Sequence, residues 1–173
     1  MNVGLLLLRL VVGLYLFGHG AQKLFGWFGG SGMAGTRGMI ERLGGRPTWF
    51  WAPLSGLSEA CGGLLLALGF LNPVATFPIA GAMLTAIFAV HWRNGLWNTK
   101  RGIELPFTYL SVAVAVALTG PGAYSLDRLL GIALPEPVTW IVLTVLLLAG
   151  LAWMFSARRP SAAPAQPSVR APA

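Results

Sequence analysis

The chain has 173 residues, of which 55% are hydrophobic and only 10% charged, and its mean hydropathy is +0.70. That composition excludes a soluble globule and indicates an all-α membrane protein of one domain's length. The formal charge of +7 would point toward nucleic acid in a soluble protein; in a membrane chain it reports orientation, and no nucleic-acid partner is expected.

A membrane-spanning helix needs roughly 20 apolar residues, and the first candidate runs from Leu5 to Leu24. Arg9 interrupts it, no basic segment precedes it and no small-x-small cleavage site follows, so it reads as a retained span and not as a secretory signal. Arg9 sits about 8 Å from the midplane at 1.5 Å per residue. Its long stem favours snorkelling to the near interface, with an internal carbonyl or a ligand anion as the alternative. Tyr15, His19, Gln22 and Lys23 share one stripe at the other end of this helix and give it a polar edge.

The connection from Phe25 to Phe50 is too long for a hairpin turn. Within it Met33, Met39, Ile40 and Leu43 alternate with Arg37, Glu41 and Arg42 at the spacing of a short amphipathic helix, suited to an interface or to capping a bundle. The second span, Ala52 to Leu71, carries Ala52, Ser55, Gly56, Glu59, Gly62 and Gly63 along one stripe, which predicts a close helix contact with Glu59 inside it. Cys61, the only cysteine, excludes an intramolecular disulfide and any Cys-x-x-Cys site, and reads as a small buried residue.

Asn72-Pro73 predicts a tight turn into the third span, Val74 to His91, making an antiparallel hairpin. The fourth span, Glu104 to Thr119, is the shortest, and the fifth runs from Val138 to Phe155. The chain therefore divides into a four-helix membrane domain over 1–131, an additional transmembrane helix within 132–155, and an Ala-, Pro- and Ser-rich cytoplasmic tail over 156–173 whose composition is that of disorder. The polar and small-residue contacts all fall in the first four spans, so the fifth is expected to be peripheral.

Threading these spans alternately gathers Lys23, Arg37, Arg42, Arg46, Arg93, Lys100, Arg101, Arg158, Arg159 and Arg170 on one side, leaving Arg9 and Arg128 for the other. The basic side is then cytoplasmic, the N-terminus outside and the C-terminus inside. Trp27, Trp49, Trp51, Trp92 and Trp97 lie at the same basic face, as an aromatic belt does.

The same threading brings His19, Glu59, His91 and Glu104 to one membrane face. Ionisable groups at that depth are costly, so they turn toward a bundle interior or watery cavity and pair with one another. His19 and Glu59 lie about 7 Å and about 4 Å from the midplanes of their spans, near enough in depth to hydrogen-bond and to accept or relay protons. The alternative is purely structural interhelical bonding. Gly30-Ser31-Gly32-Met33-Ala34-Gly35 has the G-x-G-x-x-G pattern but follows a membrane helix instead of a strand, and His19 and His91 differ in depth, a poor geometry for haem. No HExxH, phosphate-binding loop, Ser-His-Asp signature or acidic metal cluster is present, so neither hydrolase chemistry nor a metal is predicted.

Several motifs, in order, resemble the DoxX family of small bacterial membrane proteins: Leu8-Arg9-Leu10-Val11-Val12-Gly13, Phe17-Gly18-His19-Gly20-Ala21-Gln22-Lys23-Leu24-Phe25-Gly26, Gly35-Thr36, and Ile40-Glu41-Arg42-Leu43-Gly44. Glu59-Ala60-Cys61-Gly62-Gly63, Val90-His91 and Gly120-Pro121-Gly122-Ala123-Tyr124-Ser125-Leu126-Asp127 extend the resemblance to about residue 130. It implies a four-helix bacterial inner-membrane bundle related to the quinone-reducing membrane subunit of thiosulfate:quinone oxidoreductase, and a place in a redox or oxidative-stress complex. Asn72-Pro73 stands where the family often has a basic residue, and the fifth span and tail lie beyond its usual core.

The leading expectation is thus a redox-complex subunit that contacts quinone through a polar pocket of His19, Glu59, His91, Glu104, Lys23, Gln22 and Tyr15, with a redox enzyme or a second copy as partner. A small proton-coupled transporter or channel using Glu59, and a ligand-free scaffold, are the alternatives.

Overall fold

The computed structural model describes residues 2–158 and is all-helical among them. The expected tail lies, from residue 159 onward, outside the described residues. Seven α-helices follow in order: α1 (Asn2–Phe25), α2 (Gly32–Arg42), α3 (Thr48–Leu68), α4 (Thr76–Thr85), α5 (Glu104–Thr119), α6 (Leu126–Leu130) and α7 (Val138–Ser156). The α1, α3 and α7 helices are long and apolar enough to cross a membrane, and α5 is a shorter apolar helix. A π-helical turn, Ala86–His91, continues α4 to the residue at which the third span was expected to end. The protein is an all-α membrane protein.

Helix α3 stops a turn earlier than its hydropathy predicts. Gly69 adopts a left-handed backbone at φ 63°, and the Gly69 and Phe70 N–H groups donate back to Leu66 and Leu65 carbonyls, a Schellman close that needs glycine at that point. Phe70 and Leu71 therefore belong to the turn and not to the span.

The tightest contact in the bundle is α1 against α3, and missing side chains create it. A Cβ on Gly20 would lie 2.3 Å from the Ala60 backbone nitrogen, and one on Gly13 would lie 2.5 Å from the Gly63 carbonyl oxygen. Glycines at these points let two backbones meet, the small-residue packing that drives helix association in lipid. Val12 and Leu16 of α1, Leu66 of α3, Ile79 and Met83 of α4, and Ala113 and Val116 of α5 then fill the middle as one apolar core. Nothing from α7 enters it.

Helix α7 docks on the outside through aromatic contacts at both ends. Trp140 meets Phe77 of α4 at 5.8 Å between ring centroids, while Trp153 lies 4.9 Å from Trp51 and 5.0 Å from Phe50. Met154 completes a second core with Ile40, Trp51 and Ala52, where α2 caps the bundle. On its far face Ile141, Val145 and Leu148 are exposed, as a lipid-facing surface requires.

Three expectations are corrected here. Arg9 does not snorkel: it is fully buried and donates to the Tyr124 carbonyl, because its side chain points along the buried face with Val12 and Leu16 and reaches the loop before α6. Cys61 is exposed, since it shares the outer ridge of α3 with Leu57, Leu64 and Leu68, while the glycines take the inner one. Trp51 is buried, its indole N–H donating to the Arg46 carbonyl at 3.1 Å, whereas Trp27, Trp49, Trp92 and Trp97 are exposed.

Candidate functional site

The bundle is sealed by its apolar core at the Asp127 end and opens toward the end where α1 finishes and α3 begins. A cavity of about 500 Å³ lies there, within the ~300–1,000 Å³ range of small-molecule sites. Its long wall is apolar: Phe77, Ala82 and Ala86 from α4, with Leu143, Leu147 and Leu151 from α7. Met39, Ile40 and Leu43 of α2 close one side. Polar groups collect at one end, where His19, Lys23, Ser55, Ser58, Glu59 and Tyr109 line it, with His91 beside them.

The centre of that polar end is an ion pair. Lys23 Nζ donates to Glu59 Oε1 at 2.6 Å and to Ser55 Oγ at 3.1 Å. The Glu59 side chain is 5% exposed and that of Lys23 27%, so the carboxylate is enclosed and the ammonium half-sheltered. Glu59 Oε2 is buried without a hydrogen-bond partner among the described residues. The pairing expected between His19 and Glu59 is replaced by Lys23 with Glu59. At 100° per residue the stripe Tyr15, His19, Gln22, Lys23 fans across about a quarter of the helix circumference, and Lys23 lies nearest the buried face defined by Leu16 and Gly20. Lys23 therefore reaches α3 first.

His19 instead approaches Gln22, with Nδ1 3.2 Å from Oε1, and its ring stands 6.1 Å from that of Tyr109. Gln22 donates onward to the Phe28 carbonyl at 3.2 Å. Gln22 and Tyr15 do not line the cavity, and Tyr15 is exposed. His91 reaches the rim and places Nδ1 2.6 Å from the Arg101 carbonyl oxygen. Glu104 is drawn away: its Oε2 accepts from the Asn98 N–H at 2.8 Å and fastens the loop before α5. The structure thus gathers His19, Lys23, Glu59 and His91, and leaves Tyr15, Gln22 and Glu104 outside.

Tyr109 is the polar group that sequence reasoning passed over. It shares the inward stripe of α5 with Pro106, Ala113 and Val116, and that spacing was the available signal. The apolar wall given by α7 was also missed.

Arg9 anchors a separate polar cluster at the sealed end. Besides its bond to Tyr124, its Nε and Nη1 have no partner among the described residues, and Nη1 lies against Gly69, where a Cβ would clash. Asp127 accepts from the Leu71 and Asn72 N–H groups at 2.7 and 2.8 Å, satisfying donors freed by the turn after α3. This cluster ties α1, the α3–α4 turn and α6 together.

The DoxX family model matches residues 4–92. The inner membrane protein YqjF of Escherichia coli is 31% identical over 134 residues, covering 75% of this chain and 93% of that protein. The uncharacterized membrane protein Rv3486 of Mycobacterium tuberculosis is 31% identical over 131 residues, covering 70% of this chain and 77% of its own length. No solved structure matches. The matched region holds the α1–α3 glycine contact and the Lys23–Glu59 pair, and the chain belongs to the DoxX family of membrane proteins.

Proposed function

We propose that this protein is a subunit of an inner-membrane redox or oxidative-stress complex and contacts a quinone through the cavity beside Lys23 and Glu59. The observation that carries the reading is the shape of that cavity: a long apolar wall on α4 and α7 leading to a compact polar end. A quinone has the same division, an isoprenoid tail and a ring bearing two oxygens. At the polar end the Lys23 ammonium, the Tyr109 hydroxyl and the Ser58 hydroxyl offer donors to a ring oxygen. Quinone chemistry exchanges protons together with electrons, and Glu59 and His19 are groups able to carry them. The electrons are exchanged with a redox enzyme partner.

Native purification followed by mass spectrometry of bound lipids and cofactors tests this reading. A retained quinone, or labelling of α5 or α7 by a photoreactive quinone, supports it. A preparation that carries no quinone and resists labelling, but drives substrate-dependent proton flux in vesicles, replaces it with transport through Glu59.

A further inference from the structure

We infer that the cavity is loaded sideways from the bilayer, the far part of the ligand's tail leaving through a crevice between α5 and α7; this rests on the quinone reading and names its ligand as a long-tailed, membrane-borne quinone. The crevice, of about 130 Å³, is walled by Val114 and Leu118 of α5 and by Trp140 and Leu147 of α7, with Phe77 and Ala80 of α4 as its floor. Thr76 also borders it but turns its hydroxyl to the Pro73 carbonyl at 2.7 Å, so nothing polar faces the space. The volume falls below the ~300–1,000 Å³ of a whole-ligand site and suits a stretch of chain.

Two side chains join the crevice to the cavity, because Phe77 and Leu147 line both. Leu147 stands at the midpoint of α7 and rests on Gly81, where a Cβ would lie 3.2 Å from its Cδ1. The junction is therefore near mid-depth in the hydrocarbon. Val114 and Leu118, at 45% and 72% exposure, put the mouth of the crevice on the lipid-facing surface of α5. Tyr109 lines the polar end of the cavity and Leu118 the far end of the crevice, nine residues on, which is ~13 Å along α5 at 1.5 Å per residue. A bare ring at the polar end does not reach the crevice; an isoprenoid tail does. A tail in the bilayer is already in apolar surroundings, so the crevice supplies a route and little affinity. Its occupation is read by position.

Photolabelling of the full chain in nanodiscs compares three diazirine probes: a polyisoprenoid benzoquinone carrying the group at its tail end, the same quinone carrying it on the ring, and a phosphocholine carrying the first probe's tail. The tail-end quinone should label Val114, Leu118 or Trp140, and excess short-tailed quinone should remove that label by filling the polar end. The ring probe should label the polar end. The phosphocholine should mark the crevice no more than it marks Ile141 and Val145, which face lipid on α7. Ala80 lines the crevice and not the cavity, so Ala80→Phe should cut tail-end labelling of α5 about tenfold by overfilling that space, with ring labelling retained. Tail-end labelling confined to other surfaces, or labelling of the crevice by phosphocholine as strong as by quinone, overturns the inference while ring labelling at the polar end keeps the quinone reading standing. Absence of ring labelling there overturns both. The wild-type comparison decides the matter even if the Phe variant fails to fold.

Discussion

Lys23 Nζ stands 2.6 Å from Glu59 Oε1 and links the last turn of α1 to the middle of α3. The two partners are unequally sheltered, which makes their removal unequal. Lys23→Met strands an enclosed carboxylate and should destabilise the protein by ~3 kcal/mol or more, as breaking a buried pair does. Glu59→Leu leaves an ammonium that can turn toward water, and should cost ~1–3 kcal/mol. The double variant should be more stable than Lys23→Met alone, because an apolar pair leaves no stranded charge. Unfolding midpoints of the four proteins in mild detergent measure these differences. Additive losses would show that the two groups do not interact.

The glycines of α1 supply a second, internally controlled prediction. Gly20→Ala drives a methyl group into the Ala60 backbone, so the helices must separate, at ~1–3 kcal/mol for overpacking. At Gly18 a methyl group would meet nothing within 4 Å, and Gly18→Ala should be neutral or stabilising by up to ~1 kcal/mol through helix propensity. Thermal unfolding of the two variants compares them directly. Equal midpoints would remove the close α1–α3 contact from the account.

Much of this architecture was legible because lipid requires every spanning backbone to satisfy its own hydrogen bonds, which a single long apolar segment does as a helix, and hydropathy reports such segments. The glycine stripe of α3 announced its contact for the same reason. What stayed hidden were directions within a span. Hydropathy assigns Arg9 a depth but not a heading, and only the folded chain shows the Tyr124 carbonyl waiting beside it. Likewise Tyr15, His19, Gln22 and Lys23 share a stripe, yet which of them meets Glu59 depends on how far α1 is rotated. Glu104 was expected at the same membrane face as Glu59, but its place at the start of α5 let a loop N–H capture it.

At the sealed end, Asp127 holds two N–H groups of the α3–α4 turn with its two carboxylate oxygens. Asp127→Asn converts one of those acceptors into a donor facing an N–H, and also removes a carboxylate charge that acts on buried Arg9. The expected loss is ~1–3 kcal/mol, from a buried donor left unpaired. Asp127→Ala should cost at least as much. Amide exchange at Leu71 and Asn72 should accelerate in both variants. Unchanged exchange would show that the turn does not depend on this carboxylate.

Orientation is tested by reporters. The basic residues Arg37, Arg42, Arg46, Arg93, Lys100 and Arg101 fall in the connections on the cavity's side of the bundle, for which the positive-inside rule predicts a cytoplasmic position. A cytoplasmic reporter fused after Ala173 should be active and a periplasmic one silent. The reverse pattern would turn the cavity's polar end toward the periplasm.

Removal of α7 separates the stability of the bundle from the capacity of its cavity. The apolar core draws on α1, α3, α4 and α5, and contains no residue of α7, so a chain truncated after Gly131 should insert and remain monodisperse in mild detergent. The same truncation deletes Leu143, Leu147 and Leu151 from the cavity wall, and the Trp153 contacts with Phe50 and Trp51. The polar end keeps Lys23, Glu59 and Tyr109 but loses the surface along which a tail would lie. Capture of a long-tailed photoreactive quinone should therefore fall at least tenfold, while a tailless analogue, seeing only the polar end, should lose much less. Aggregation of the truncated chain would make α7 part of the core. Equal capture of the long-tailed probe by both chains would remove α7 from the binding surface and confine the site to the four-helix bundle.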